Sequence, residues 1–89
     1  MVWLSDDGGA SYSLSSTVFS WMDECTMAEL SDGGVYINMR NNHSVCRCRA
    51  SAVSSDGGAS FGAVRWDRDL PSPVCQATLS TAGGHLLFA

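Results

Sequence analysis

The residues SDDGGASY at positions 5–12 and SSDGGASF at positions 54–61 decide the fold of this 89-residue chain. Both stretches fit the pattern S-x-D-x-G-x-x-aromatic, and from position 5 to position 54 they are 49 residues apart. In this pattern the aspartate can accept backbone N–H bonds across a tight turn, and glycine allows the reversed backbone. The aromatic side chain is then expected to pack into a sheet. Two such turns 49 residues apart indicate a repeated structural unit of about 50 residues.

A second, weaker sequence repeat has almost the same period. The dipeptides EC at 24–25 and VC at 74–75 each lead through an apolar run to a GG pair, at 33–34 and 83–84, and then to a further apolar run. From 24 to 74 this offset is 50 residues. Because two separate features share one period, a structural repeat is favoured over chance.

The secondary-structure signal is β throughout, since short alternating or apolar runs are separated by Gly, Asp and Ser clusters and no helical period persists. Four antiparallel strands repeated about every 50 residues are typical of a β-propeller blade. We therefore predict an all-β fold in which residues 1–21 end one blade, 22–68 form a complete four-stranded blade and 69–89 begin the next. The predicted strands are Val2–Ser5, Tyr12–Phe19, Thr26–Leu30, Val35–Met39, Val45–Val53, Phe61–Trp66, Cys75–Ser80 and His85–Ala89. One blade cannot bury both of its faces, so the chain is expected to be a fragment that requires the rest of the propeller.

Composition excludes several classes of function. The chain is 45% hydrophobic and 16% charged, with a formal net charge of −4. It has no basic run, so nucleic acid is not an expected partner. Its apolar runs are far shorter than the roughly 20 residues that span a bilayer, so no transmembrane segment is predicted. The start of the chain has neither the basic nor the apolar region of a signal peptide.

The four cysteines, at 25, 46, 48 and 75, leave more than one possibility open. Four cysteines allow three disulfide connectivities, and a small disulfide-stapled β domain is one alternative for the whole chain. The spacing of Cys46 and Cys48 differs from the C-x2-C pairs of structural zinc sites. We expect reduced, half-buried thiols, with no metal ligands and no cofactor.

Between the two repeated turns, the stretch MDEC at 22–25 and the stretch YINMRN at 36–41 are separated by a strand–hairpin–strand pattern. Their order resembles the corresponding part of the exo-α-sialidase family, in which a glutamate begins the first strand of a blade and an arginine in an N-x-R-N motif ends the second. Here the pair is Glu24 and Arg40. The stretch LPSPVCQATL at 70–79 is similar to the family's segment that enters the next blade. The resemblance implies a six-bladed β-propeller.

In that family the repeated turn is the Asp box, also called the BNR repeat. It stabilises the fold and usually lies away from the active site. The resemblance therefore implies structural roles for both boxes, whose residues here are Ser5, Asp7, Gly9, Tyr12, Ser54, Asp56, Gly58 and Phe61.

The resemblance also implies an activity, the release of terminal sialic acid from glycoproteins, oligosaccharides or gangliosides, with a sialylated glycan as partner. Arg40 would bind the substrate carboxylate, and Glu24 would activate a tyrosine nucleophile. Asn38 and Asn41 would contact substrate or brace Arg40. The nucleophilic tyrosine, the acid/base aspartate and two further arginines have no counterpart in this chain, so the isolated chain is expected to be inactive.

Alternatives remain open for the residues and for the whole chain. A solvated carboxylate at a strand edge and an arginine at the rim of a sheet would look like Glu24 and Arg40 in sequence. Arg47 and Arg49 are expected to face outward or to form ion pairs, and the three tryptophans to pack within blades. A non-catalytic Asp-box propeller that binds proteins or glycans is the main alternative function. The paired cysteines favour the lysosomal branch of the family or a protist relative, and hence a lysosomal, secreted or membrane-associated location.

Overall fold

A computed structural model describes residues 1–43, 45–72 and 76–89. These residues form three antiparallel sheets and contain no helix, which confirms the all-β prediction. Strands β1 and β2 form the N-terminal sheet, β3 to β6 form a four-stranded central sheet in the order β3-β4-β5-β6, and β7 and β8 form the C-terminal sheet. The strands are β1 (Trp3–Leu4), β2 (Ser13–Leu14), β3 (Met22–Glu29), β4 (Val35–Asn41), β5 (Cys48–Ser54), β6 (Arg65–Pro71), β7 (Leu79–Ala82) and β8 (His85–Phe88).

The central sheet is a meander in which every strand pairs with the next one along the chain. In β4, Ile37 pairs with Met27 of β3 and with Ala52 of β5. The β3–β4 hairpin closes at Gly33, whose φ of 85° is in the left-handed region that suits glycine. The preceding Asp32 accepts the Gly34 N–H through its carboxylate at 2.9 Å. The aspartate and glycine of this turn thus fix the register of β3 against β4.

One face of the central sheet carries the apolar core. Ile37 and Met39 of β4 pack with Ala50 and Ala52 of β5 and with Val2 from the N-terminal segment, and all five are buried. Partly buried side chains complete this layer: Leu4, Phe19, Met22, Phe61, Val64 and Trp66. The N-terminal sheet therefore covers this face of the central sheet.

The opposite face of the central sheet is polar and faces the C-terminal sheet. Asn38, Arg49 and Ser51 are buried there. The backbone N–H of Leu79 donates to Thr26 Oγ1 of β3 at 3.3 Å, and the Phe88 ring lies 5.7 Å from the Arg49 guanidinium carbon. The central sheet consequently lies between its two neighbours.

The two repeated turns have the same hydrogen-bond pattern. In both, the serine hydroxyl donates to the aspartate and accepts the N–H of the second glycine at 2.8 Å. In both, the aspartate accepts a backbone N–H four residues later, from Ser11 or Ser60, at 2.9 Å. The φ angles of the second glycines, Gly9 and Gly58, are 95° and 93°. The sequence repeat is therefore a structural repeat.

The strand ends differ from the prediction most clearly after the second turn. The strand predicted at Phe61–Trp66 is wrong in its bounds, because β6 begins only at Arg65. The Phe61 N–H donates to Thr17 Oγ1 at 2.8 Å, so this residue is held by the N-terminal segment and does not join the ladder. Of the strand predicted at Tyr12–Phe19, only Ser13–Leu14 forms a strand, which is β2. The start of the predicted strand Cys75–Ser80 lies outside the described residues.

Several side chains lie where the sequence did not place them. Trp3 and Trp21 were expected to pack within blades but are 61% and 72% exposed. Tyr12 is also exposed, and its ring meets Trp3 edge-on instead of entering a core. The two-stranded N-terminal sheet offers too little area to bury these rings. Arg49 was expected to face outward or to form an ion pair, yet it is among the largest fully buried side chains.

Candidate functional site

An irregularity at the start of β3 places Glu24 beside Arg40. Met22 pairs with Asn41 and Cys25 pairs with Met39, so two residues of β3 lie opposite the single residue Arg40 of β4. This two-against-one arrangement is a β-bulge, a feature that re-aims side chains and is over-represented next to active sites. The bulge brings the Glu24 side chain to the face of the sheet on which Arg40 lies.

Glu24 and Arg40 form an ion pair, with 3.0 Å between Oε2 and the guanidinium Nη1. Their side chains are 49% and 28% exposed, respectively. The pair lies at the end of the central sheet where β3 begins and β4 ends. The two residues therefore meet at one end of the sheet, and their catalytic and substrate-binding roles stay predictions. A pair exposed to this degree contributes little to stability. Its carboxylate is half exposed and its guanidinium is partly exposed.

Asn38 lies two residues before Arg40 and is fully buried. Its Oδ1 accepts the Arg49 Nε–H at 2.7 Å, and its Nδ2 donates to the Tyr36 hydroxyl at 3.2 Å. Burial lowers the pKa of Arg49, whereas the nearby Glu24 carboxylate opposes that shift. Direct substrate contact by Asn38 stays a prediction, and in this structure its side chain bonds to Arg49 and Tyr36 on the same face as Arg40.

Asn41 is buried at the end of β4 and braces the following loop. Its Nδ2 donates to the carbonyls of Cys46 and Cys48 at 3.1 and 3.2 Å, and its Oδ1 accepts the His43 N–H at 2.7 Å. A disulfide joins Cys46 to Cys48, in place of the reduced thiols that were expected. Cys25 is a free thiol and is exposed rather than half-buried. A substrate contact by Asn41 likewise stays a prediction.

The second repeated turn lies at the opposite end of the central sheet from the ion pair. The second turn follows the end of β5, whereas the ion pair lies at the end of the sheet where β5 begins. Hydrogen bonds from Ser60, and then from Ser54, lower the pKa of Asp56 to about 2. The pKa of Asp7 is also about 2, with the Ser11 hydroxyl as the largest cause. Both carboxylates therefore stabilise the turns in which they lie.

Neither tyrosine of the chain is placed to act as a nucleophile beside Glu24. Tyr36 lies on the polar face four residues before Arg40 and accepts a bond from Asn38. Tyr12 lies in the first repeated turn. Within residues 1–43, 45–72 and 76–89, no group of three or more His, Cys, Asp or Glu side chains converges as metal ligands do. The described residues also include no helix that could cross a membrane.

Sequence reasoning missed two residues near the site. Arg49 alternates with cysteines in CRCR, and that pattern gave no sign that its side chain is buried on the neighbouring strand beside Arg40. Trp21, directly before β3, has a φ of 61° and an exposed ring. Neither feature follows from local propensity, because both depend on the loop after β4 and on the neighbouring sheet.

No protein-family model matches the chain. A sialidase of Micromonospora viridifaciens is 44% identical to it over 78 residues, which are 88% of this chain and 12% of that protein. The chain thus spans about an eighth of the length of this relative. A stretch of 78 residues within a chain of 89 includes both Glu24 and Arg40 wherever it begins.

Proposed function

We propose that this chain is a segment of a retaining exo-α-sialidase and forms about one full blade, with parts of two neighbours, of a six-bladed β-propeller. The observation that carries the proposal is the bulge in β3 that sets Glu24 against Arg40 at an open end of the central sheet. The 44% identity to a sialidase over 78 residues supports it. Terminal sialic acid on glycoproteins, oligosaccharides or gangliosides is the proposed substrate.

Arg40 is proposed to bind the carboxylate of sialic acid. This carboxylate is attached to the anomeric carbon, so the group that holds it also positions the reacting atom. A guanidinium is always charged and can make two parallel hydrogen bonds to a carboxylate. The 3.0 Å contact with Glu24 already orients the Arg40 side chain toward the accessible end of the sheet.

Glu24 is proposed to act as the general base. Sialidases depart from the two-carboxylate scheme of most glycosidases by using a tyrosine nucleophile. A carboxylate nucleophile would be repelled by the substrate's own carboxylate, whereas a neutral tyrosine would not. With a pKa near 10, the tyrosine needs a base to accept its proton. The half-exposed carboxylate of Glu24 can accept a proton from a hydroxyl supplied by another part of the propeller.

A hybrid protein tests this proposal. In it, the 89-residue chain replaces the matched segment of the Micromonospora sialidase, which then supplies the remaining parts of the propeller. We expect the hybrid to hydrolyse a fluorogenic sialoside. Glu24→Gln should lower kcat by about 100-fold or more, because a general base contributes about 100- to 10,000-fold. Arg40→Gln should raise KM by about 10-fold or more, because a charge-assisted hydrogen bond contributes about 1.5–3 kcal/mol.

Matched controls lie on the same sheet. Glu29→Gln changes an exposed carboxylate at the far end of β3, and Arg68→Gln changes an exposed arginine of β6. Both control hybrids should keep the activity of the parent hybrid. A hybrid that folds with intact circular dichroism but does not hydrolyse the sialoside would contradict the proposal. That result would favour a non-catalytic propeller, since the repeated turns occur in scaffolds as well as in enzymes.

A further inference from the structure

Two consecutive carboxylates lie in the bulge at the start of β3. Asp23 and Glu24 are the two bulged residues, and both lie opposite the single residue Arg40 of β4. Both side chains are exposed. A guanidinium attracts either carboxylate, so charge alone does not decide which of the two meets Arg40. In the structure Glu24 forms the ion pair, and the hydrogen-bond partner of Asp23 explains this choice.

Asn42, the second residue after Arg40, binds the first bulged residue. Its side-chain Nδ2 donates to Asp23 Oδ2, and its backbone N–H donates to the carbonyl of Trp21 at 3.0 Å. The two bonds hold the chain on both sides of Met22, where it enters the bulge. Trp21 has a φ of 61°, a conformation that a bulky residue keeps only where the surrounding structure holds it.

The neighbours of Asn42 fix its own position. Asn41 Oδ1 accepts the His43 N–H at 2.7 Å, and a ring nitrogen of His43 lies 2.9 Å from the Ser20 carbonyl. The segment 41–43 is therefore attached both to the end of β4 and to the residues that lead into β3. The Asn42 amide is thus a fixed donor beside the bulge.

We infer that Asn42 is a positioning residue for the general base: by holding Asp23, it leaves Glu24 as the bulged carboxylate that meets Arg40. This inference rests on the proposed function. An aspartate side chain is one carbon shorter than a glutamate side chain, so exchange of the two partners would move the proton acceptor by about 1.5 Å. A displacement of about 1 Å can cost roughly 100-fold in rate.

The test measures kcat and KM of the hybrid sialidase with the fluorogenic sialoside at neutral pH. Asn42→Asp keeps the size of the side chain and the backbone bond to Trp21, but it sets a second carboxylate against Asp23, and like charges repel. We expect kcat to fall about 10- to 100-fold. KM should change less than about threefold, because Arg40 keeps its place. Asn42→Ala removes the donor without adding charge and should lower kcat by a smaller factor.

An exchange of the two partners checks the cause. The double variant Asp23→Asn with Asn42→Asp reverses donor and acceptor, so the side-chain bond can form again. We expect it to restore kcat to within about threefold of the parent hybrid, which is a strong coupling between the two positions. Asp6→Asn, which changes an exposed carboxylate of the first repeated turn, is the control and should keep the parent kcat.

The outcomes separate the two proposals. An unchanged kcat in Asn42→Asp would overturn the inference and leave the sialidase proposal standing. A loss that the double variant does not repair would also overturn it, as would a large rise in KM at constant kcat. If circular dichroism shows that Asn42→Asp is poorly folded, Asn42→Ala and the double variant carry the same comparison. A parent hybrid inactive on the sialoside would overturn the proposed function and the inference with it.

Discussion

Replacing Asn38 with alanine should destabilise β4 and β5, because it removes the acceptor for a buried guanidinium. Asn38 is 0% exposed and Arg49 is 1% exposed, and the bond from Arg49 Nε to Asn38 Oδ1 is 2.7 Å long. A hydrogen bond to a charged group contributes about 1.5–3 kcal/mol, and the cavity left at a buried site adds to the loss. We therefore expect Asn38→Ala to cost about 2–4 kcal/mol.

Hydrogen exchange of β4 and β5 amides in the hybrid sialidase measures this loss locally. A cost of about 2–4 kcal/mol corresponds to roughly 30- to 900-fold less protection, since about 1.36 kcal/mol is tenfold. Asn42→Ala changes an exposed asparagine just after β4 and should alter protection less than about fivefold.

A double-mutant cycle checks the cause. Arg49→Met removes the buried charge, so Asn38→Ala should cost at least about 1.5 kcal/mol less in that background than in the parent. Additive effects of the two substitutions would refute the coupling between Asn38 and Arg49. A large rise in KM with unchanged protection would instead place Asn38 in direct contact with substrate.

Two further predictions concern the second repeated turn. Gly57→Ala and Gly58→Ala should each cost about 1–2 kcal/mol because both φ angles are positive. Gly58→Ala should cost about 1 kcal/mol more, since its Cβ would lie 2.9 Å from Leu4 Cδ2 and this flexible side chain must turn aside; equal protection of the β5–β6 hairpin amides in the two variants would argue against this packing. The pKa of Asp56 is lowered from 3.8 to about 2, so the stabilisation from its ionised form is complete above pH 3.8 and is lost as the pH falls through 2. An NMR titration of labelled aspartate should show a higher midpoint in Ser60→Ala than in Ser55→Ala, and identical midpoints would exclude the Ser60 hydroxyl as the cause.

The parts of the fold that the sequence predicts are those determined by local chemistry. The two repeated turns were predictable because serine, aspartate and glycine at fixed offsets form hydrogen bonds with one another within the turn. The hairpin at Gly33 was predictable for the same reason. The pairing of Glu24 with Arg40 required the family resemblance as well, because a bulge in β3 leaves no reliable mark in a single sequence.

The parts that the sequence did not predict depend on contacts between sheets. The burial of Arg49 follows from the C-terminal sheet, which places Phe88 over its guanidinium. The late start of β6 follows from Thr17, which binds the Phe61 backbone from a distance of 44 residues in sequence. The left-handed backbone of Trp21 follows from the loop after β4, where the Asn42 N–H donates to the Trp21 carbonyl. Secondary-structure propensity and the alternation of apolar and polar residues carry no information about such partners.

A crystal structure of the hybrid sialidase with bound sialic acid tests the central claim most directly. We expect the sialic acid carboxylate to lie about 2.7–2.9 Å from the Arg40 guanidinium, with Glu24 on the same rim and within reach of the host tyrosine. A sialic acid bound elsewhere, with Arg40 and Glu24 in contact only with each other, would contradict it.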